Sequence, residues 1–590
     1  MSSVKAAAVL GRGRRASMAS SRAGLLAASA LAVLCVAAGP AMAQDAAAVD
    51  EPIATADAVD DTAELRFDVM EFEVAGNTVL EAADIQRALT PFTGFGKGVA
   101  DVEASREALE KAYREKGYAT VVVEVPAQDV RNGIVQLAVV EGRVDQVRVR
   151  GARYVLPSEI KAALPGLSEG SVPNVPQLQV ALSDANSRTT RTITPEFRAG
   201  MAPGTVDVDL MVEDKRPWGA SVEWSDQYNR STDRWRTNAS IHYDNIWQRG
   251  HSANLFFQTA PFELDQIQVW SASYYAPIGY GRTSLLGYAV QSNTDVATVG
   301  GLAVLGDGFM VGARAIHTLG GSPKGTVQSL MIGVDYKDYM DQIGIVDPTT
   351  KELLTFDTPV TYLPFTGQYR LLGGTPDYNY EVTLGGTFGF DGLVGDQDEF
   401  GGVPDDPVTP GDQSRPGKRA DSEASFFFLA GSANYTHRFG DGWEAKTFLD
   451  WQLSAVPLIS NEQFVLGGAN SVRGYREAEV LGDSGLRVGM DIGREVPMAW
   501  AGEDVDKAVN WRVSAFAEGG GAFLRRPLPG EQSEFWLASV GVSTTFEVLE
   551  AVYGTLDLAY QFNDDPSDSG TPVEDDIGGL RLHVKFGVKY

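Results

Sequence analysis

From Pro217 to Tyr590 the chain alternates apolar and polar side chains with a period of two. In Trp218–Ser225, Trp218, Ala220, Val222 and Trp224 share one face, and Gly219, Ser221, Glu223 and Ser225 share the other. The last run is the cleanest: Leu580, Leu582, Val584, Phe586, Val588 and Tyr590 oppose Arg581, His583, Lys585 and Lys589. A period of two means extended strands with one apolar face. Sixteen such runs can be marked: 218–228, 236–244, 251–259, 266–276, 283–292, 308–319, 326–337, 357–371, 378–390, 425–438, 443–454, 485–496, 511–518, 535–546, 551–562 and 579–590. Most approach the length of about 9–11 residues that a tilted strand needs to cross a bilayer. Short turns (Asn245–Gly250, Gly440–Gly442, Glu547–Glu550) alternate with longer polar loops, the longest being 391–424 and 455–484. An even strand count with short turns at one rim and long loops at the other suits a bacterial outer-membrane barrel. A soluble sandwich or propeller also alternates, but here Trp and Tyr sit near strand ends on the apolar faces. Residues 215–590 are therefore expected to form an all-β, 16-stranded transmembrane β-barrel.

The pattern before Pro217 is different. Residues 66–142 read as β-α-α-β-β: a strand at Phe67–Val74, two helical patterns, then Tyr118–Val125 and Ile134–Val140. The second helix repeats Val102, Ser105, Leu109, Ala112 and Tyr113 and stops at Lys116-Gly117, a C-cap signal. Residues 143–214 repeat the order more weakly, so two small α+β modules stand in tandem.

Residues 1–43 have five cations, no anion, and an apolar run from Leu25 to Ala38 followed by Ala41-x-Ala43. This is the form of a secretory signal peptide cleaved after Ala43; the run is short of the ~20 residues of a spanning helix. The only cysteine, Cys35, lies inside it, so the exported chain has no thiol chemistry. Residues 44–65 hold seven acids and no base and read as an acidic linker. A net charge of −29 argues against a nucleic-acid partner, which requires clustered positive charge.

Catalytic signatures are weak. Gly482-Asp483-Ser484-Gly485 copies a protease nucleophile motif but falls in a long loop and reads as a turn. Loop 391–424 carries nine acids against three bases and reads as a solvated surface loop, with divalent-cation binding as the alternative. The chain is not expected to be an enzyme or to use a metal or cofactor. One constellation is more specific. Val472-Arg473-Gly474-Tyr475 sits within loop 455–484, and strand 511–518 turns Arg512, Ser514, Phe516 and Glu518 to its polar face, the lumen. A loop folded into the barrel would bring Arg473 to Glu518 for a planar guanidinium–carboxylate pair.

With these residues the chain resembles the outer-membrane transporters of two-partner secretion (the ShlB/FhaC/HecB-like family of hemolysin secretion/activation proteins) in the Omp85 superfamily. Gly76-Asn77-Thr78, Gly117-Tyr118, Pro126-x-Gln128-Asp129 and Val140-Glu141-Gly142-Arg143 resemble the family's first POTRA domain, and Pro203-Gly204-Thr205 through Val212-Glu213 the end of its second. Val472-Arg473-Gly474-Tyr475 resembles its lumen-loop tip, and Phe516-Ala517-Glu518-Gly519-Gly520 its barrel-wall pattern, with Glu518 where the family has Asp.

The resemblance covers roughly residues 66–590, and with the reading of the N-terminus it gives domains at 1–43 (signal peptide), 44–65 (linker), 66–142 and 143–214 (POTRA) and 215–590 (barrel). It implies a pore in the outer membrane of a Gram-negative bacterium, with periplasmic POTRA domains. The pore would secrete a partner exoprotein, hemolysin- or adhesin-like, bound through those domains and driven by its folding outside the cell. It also implies that Phe586, Val588 and Tyr590 form the C-terminal signal read by the barrel-assembly machinery, that periplasmic chaperones escort the chain, and that it works in outer-membrane lipid as a monomer. The rival from the same superfamily is a factor that assembles other outer-membrane proteins; such factors usually carry more POTRA modules. A passive porin would have no use for the periplasmic modules.

Overall fold

A computed structural model describes residues 66–590 except 131, 187–190, 230–231, 280–281, 300–301, 320–324, 347–352, 402–416, 499–501, 503–507, 529–530 and 564–578. The expected signal peptide, its cleavage after Ala43 and the acidic linker lie outside the described residues.

The first module builds its sheet in the order Glu71–Ala75, Ile134–Glu141, Val121–Glu124, with the first pair parallel and the second antiparallel. Helices Ala82–Leu89 and Val99–Glu115 cover one face, burying Leu89, Leu109, Tyr113, Val121, Val123, Leu137 and Val139. The second helix ends as its sequence indicates: the N–H of Tyr118 bonds the carbonyl of Tyr113 at 2.9 Å, and that of Gly117 bonds Arg114 at 2.9 Å. Burial and nearby Glu141 push the Tyr113 phenol up to about 12, and its OH donates to Asn77 Oδ1 at 2.6 Å.

The second module repeats this plan with strands Arg143–Arg150, Thr205–Asp214 and Arg191–Ala199 in that spatial order, under helices Pro157–Ala163 and Val175–Asn186. Two details make the repeat structural. Gly76 (φ 88°) and Gly151 (φ 85°) each end a first strand where an added Cβ would lie 2.3 or 2.4 Å from a carbonyl, of Val139 or Val212. A carboxylate then fixes the following turn. Glu141 accepts the N–H of Thr78 (2.5 Å) and of Val79 (3.1 Å), the Thr78 hydroxyl, and Arg143 Nη2 (2.6 Å). Asp214 accepts the N–H groups of Arg153, Tyr154 and Val155 at 2.8, 2.6 and 3.0 Å. Sequence reading saw the first motif but not that Asp214 repeats it with a shorter side chain.

From Trp218 the strands close into one antiparallel barrel. They are β1 (Trp218–Ser225), β2 (Arg236–Ile246), β3 (His251–Thr259), β4 (Gln268–Ile278), β5 (Thr283–Val299), β6 (Leu302–Thr318), β7 (Thr326–Val346), β8 (Leu353–Tyr362 continued by Phe365–Gly374), β9 (Tyr378–Phe388), β10 (Phe427–Arg438), β11 (Trp443–Ser454), β12 (Ser484–Glu495), β13 (Val509–Phe523), β14 (Glu534–Val548), β15 (Val552–Gln561) and β16 (Leu580–Lys589). Sixteen strands match the sixteen runs of alternation. β8 is interrupted at Pro364, which has no N–H to give the ladder, yet both halves keep one register on β7. β5, β6 and β7 run to 17, 17 and 21 residues, well beyond the marked runs. The apolar sides of the strands face outward: Trp224, Val222, Leu582, Phe586 and Val588 are all exposed.

Closure is made by β16 on β1, with five paired residues from Lys585↔Ser225 to Lys589↔Ser221. It continues through Tyr590 N–H to Ala220 O (2.8 Å) and Ala220 N–H to Tyr590 O (3.1 Å). The Tyr590 ring lies 5.1 Å from that of Trp218 and holds the Arg216 guanidinium 3.7 Å from its centre.

Loop 391–424 departs only in part from its reading as a solvated surface loop: Asp391, Asp396, Asp398 and Asp421 are exposed, but Phe400 and Ala424 are buried in the barrel, joined by Phe426 of the adjoining segment. A few aromatic residues outweigh the acidic background around them.

Deleting Leu582–Tyr590 removes the whole closing ladder and should abolish membrane insertion, measured as loss of the heat-modifiable folded band in outer-membrane fractions; normal levels of the truncated chain would contradict this seam. Glu141→Ala leaves the Thr78 and Val79 amides without an acceptor and should destabilise the first module by about 2–3 kcal/mol. Faster hydrogen exchange at these two amides, with exchange in the barrel unchanged, is the expected result.

Candidate functional site

The chain between β11 and β12 turns back into the barrel rather than out to solvent. It makes a short 3-10 turn (Ser460–Glu462) and a small hairpin of Phe464–Leu466 with Val480–Gly482. The hairpin packs on the lumen face of β13: Leu466, Val472, Tyr475, Val480, Ala522 and Leu537 form one buried cluster. Gly520 makes room for it, since a Cβ there would lie 2.8 Å from Leu466 Cδ1.

At the tip, Arg473 meets Glu518 of β13. Nε donates to Oε1 at 2.8 Å, the backbone N–H donates to Oε2 at 2.9 Å, and Nη2 also bonds Oε1. Both side chains are nearly enclosed, 11% and 3% exposed. The guanidinium carbon lies over the Phe516 ring, 3.5 Å from its centre. Its remaining edge faces Asp557 of β15 at 3.4 Å and Asp491 of β12 at 3.9 Å. Asp491 is bonded more closely to Arg512 and Ser514, at 3.0 and 2.9 Å. The pattern Phe516-x-Glu518-x-Gly520 thus has three physical parts: a stacking surface, a counter-charge and a space.

The next two residues fix the other side of the tip. Gly474 has φ 99°, and a Cβ there would lie 3.1 Å from Ala559 Cβ. Its N–H donates to His583 Nε2 of β16 at 2.9 Å, and its carbonyl accepts Gln561 Nε2 of β15. The Tyr475 hydroxyl lies 3.1 Å from the carbonyls of both Ala538 and Asn563. Farther on, Glu477 N–H donates to Tyr228 O, just past β1, at 3.0 Å. The loop therefore contacts β13, β14, β15, β16 and the end of β1. A cavity of about 330 Å³ adjoins the tip, lined by Arg473, Asp491, Arg512, Asp557 and His583 among others.

The structure brings Val472, Arg473, Gly474 and Tyr475 together with Phe516, Glu518 and Gly520. Phe586, Val588 and Tyr590 lie apart, exposed on the outer face. Sequence reading missed Asp557, Gln561 and His583 as contacts of the tip. Their alternation marked them as lumen-facing, but nothing local linked them to a loop about a hundred residues earlier.

Toward the extracellular end, both long loops fill the lumen with apolar side chains. Phe400, Phe426, Leu458 and Ile459 pack on lumen-facing Val269, Val290, Met310, Tyr339, Val360 and Tyr362. Asp483, read from sequence as part of a turn, is fully buried there. It accepts Leu458 N–H at 2.7 Å, Gln463 Nε2 at 3.1 Å, Arg525 N–H at 2.6 Å and the Arg419 guanidinium. Glu462 pairs with Lys337 and accepts the Tyr362 hydroxyl at 2.6 Å. Among the described residues no group of His, Cys, Asp or Glu is arranged to hold a metal ion.

The model of the ShlB-type POTRA domain matches residues 67–142, and that of the haemolysin secretion/activation protein ShlB/FhaC/HecB matches residues 405–509, which include the lumen loop. The outer membrane transporter CdiB of Escherichia coli O6:K15:H31 (strain 536 / UPEC) is 23% identical over 495 residues, 81% of this chain and 76% of its own. The outer membrane transporter CdiB of Dickeya dadantii (strain 3937) is 22% identical over 494 residues, 81% of this chain and 80% of its own. The solved structure of CdiB from Escherichia coli superposes with a TM-score of 0.57 at 19% identity, covering 91% of this chain and 93% of that one. That of CdiB from Acinetobacter baumannii gives 0.51 at 14% identity, covering 89% and 90%.

If Arg473 and Glu518 hold the tip together, their alanine variants should be non-additive. Losing one member of a buried pair costs about 3–5 kcal/mol in a dry interior and less in a wet lumen. Either single variant should raise protease cleavage of the loop sharply, and Arg473→Ala/Glu518→Ala should add little more. Glu518→Asp should be milder than Glu518→Ala. Multiplying effects would show that the two side chains act separately.

Proposed function

We propose that this chain, an outer-membrane transporter of the ShlB/FhaC/HecB type, is the translocation pore of a two-partner secretion pair. The chain sits in the outer membrane of a Gram-negative bacterium, with its POTRA modules in the periplasm, and it secretes a partner exoprotein across that membrane. The observation that carries this reading is the joining of two POTRA-like modules to a 16-stranded barrel whose lumen is filled by its own strapped loop. A passive porin requires neither part.

The modules supply the means of capture. Among the described residues the outer strands of each three-stranded sheet pair on one side: Glu71–Ala75 and Val121–Glu124 in the first, Arg143–Arg150 and Arg191–Ala199 in the second. An extended passenger segment can add to such an edge through backbone hydrogen bonds, with side-chain pockets giving selectivity. The passenger would then pass to the lumen, where Arg473, Glu518 and their neighbours set the position of the loop. On this reading residues 66–142 and 143–214 are the recognition domains and 215–590 is the pore. Phe586, Val588 and Tyr590 present the aromatic-ended strand to the barrel-assembly machinery.

The test separates secretion from assembly of other outer-membrane proteins. Cells carrying the full chain, the chain lacking residues 66–214, or neither are compared for proteins in the medium and in the outer membrane. The truncated barrel should insert, while the exoprotein present in the medium with the full chain should disappear. Persistent secretion would overturn the role of the modules. A general fall in other outer-membrane barrels would favour an assembly factor.

A further inference from the structure

We infer that Gln248, in the periplasmic turn between β2 and β3, is a positioning residue that locks the second module onto the barrel rim. Only Lys215, Arg216 and Pro217 join that module's last strand, Thr205–Asp214, to β1. So short a linker still lets a domain swing, and relative motion is the default where the contact between two domains is small. Here a second contact closes the joint. Gln248 Nε2 donates to Tyr154 O at 3.2 Å, and Gln248 Oε1 accepts the N–H of Leu156 at 3.2 Å. One side-chain amide thus takes the place of a neighbouring strand, bonding a carbonyl and an N–H two residues apart. Its two ends are distinguished by their partners, since a carbonyl needs a donor and an N–H needs an acceptor.

The turn is shaped to present that amide. Asn245, Trp247 and Gln248 all have left-handed backbone, with φ of 63°, 59° and 59°. Glycine or asparagine takes this region at least cost, and a longer side chain there is strained. The turn itself closes without the glutamine side chain: Gln248 N–H donates to Asn245 O at 3.0 Å, and Gly250 N–H donates to Asn245 Oδ1 at 3.0 Å. Asn245 is buried, and its Nδ2 donates to Gln248 Oε1 at 3.0 Å, which aims the amide at the module. On the module side the bonded segment is held by Asp214, which accepts the N–H groups of Arg153, Tyr154 and Val155. Asp214 is also the last residue before the linker, and Pro217 O at the linker's other end accepts Asp244 N–H of β2 at 2.5 Å. Linker, barrel hairpin and module therefore form a closed circuit, and the module cannot turn about residues 215–217 without breaking both bonds of Gln248. The outer strand Arg143–Arg150 runs into the bonded segment through Gly151 and Ala152, so its direction relative to the barrel mouth is set at the same point.

The bearing of this lock on passenger capture rests on the function proposed above, but its test reads the joint and not export, so the two can fail separately. Spin labels are placed at Lys161→Cys, exposed on the helix Pro157–Ala163, and at Gly440→Cys, exposed in the periplasmic turn between β10 and β11, where an added Cβ meets nothing within 4 Å. The background is Cys35→Ser, which removes the chain's one native cysteine. The full chain is reconstituted in lipid nanodiscs and the distance between the labels is measured by pulsed electron resonance. With Gln248 present the distribution should be narrow. Gln248→Gly relieves the left-handed strain and keeps the turn, so a residue that served the turn alone would leave the distances unchanged. A lock predicts the opposite: the ratio of displaced to docked distances should rise about tenfold, as the loss of two half-exposed hydrogen bonds would give, while the barrel keeps its heat-modifiable band. If Gln248→Gly fails to insert, Gln248→Glu decides in its place, because it keeps the acceptor for Leu156 but turns an oxygen toward Tyr154 O, and it too should show displaced distances. A distribution unchanged from that of the native chain in the inserted variant would overturn the proposal.

Discussion

A backbone N–H or C=O in hydrocarbon has no water to bond, so each spanning strand must be paired on both sides and the sheet must close on itself. The rest of this structure depends on that constraint. Closure brings the last strand, β16, back to the first, and brings the C-terminal Tyr590 to Ala220 at the rim from which the POTRA modules hang. It divides every strand into a lipid face and a lumen face. The lumen faces of β13, β15 and β16 then place Glu518, Asp557, Gln561 and His583 around one small region, although up to 65 residues of chain separate them. Sheet geometry, not local sequence, assembles the receptor for the loop tip.

The tip uses that receptor in a way suited to its setting. An ion pair in a dry core repays its desolvation poorly, and an exposed pair contributes little. The lumen lies between these limits. Arg473 occupies both oxygens of Glu518, Oε1 with its guanidinium and Oε2 with its backbone N–H, and has a ring face in Phe516 and a second carboxylate at Asp557, while the neighbouring cavity leaves space for water. Glu518, one methylene longer than the Asp of the family pattern this segment resembles, reaches both the guanidinium and the Arg473 backbone amide. The substitution is thus accommodated by a carboxylate that grips side chain and main chain together.

Much of the fold was legible because a strict period of two survives wherever one face meets lipid and the other a polar lumen. The sixteen runs were visible for that reason, and so was Glu518, which alternates with Ser514 and Phe516. The signal failed where side chains had other surroundings. β5, β6 and β7 extend past the marked runs into segments where alternation weakens. Phe400 and Phe426 were hidden because single aromatics in an acidic stretch give no period. His583 was assigned correctly to the polar face, but its partner Gly474 is 109 residues away. Asp214 escaped notice as the counterpart of Glu141 because the two differ in length and share no flanking motif.

The two halves of the lumen are held by different physics, and the difference bears on how a passenger could pass. Uncovering a buried apolar side chain to water costs roughly 1.5–3 kcal/mol. Phe400, Phe426, Leu458 and Ile459 together therefore resist exposure by about 6–12 kcal/mol, before any ion pair is counted. The tip also buries Val472 and Tyr475 in an apolar cluster, but the hydrogen bonds of Arg473 and Gly474 can be exchanged for others, or for water, at smaller cost per step. A loop released at the tip would still be held at its extracellular root, so loosening there does not open the pore. Passage requires something that covers the apolar surface as the loops leave it. A β-rich chain entering as a strand brings an apolar face with every second residue, and so can replace those contacts one pair at a time.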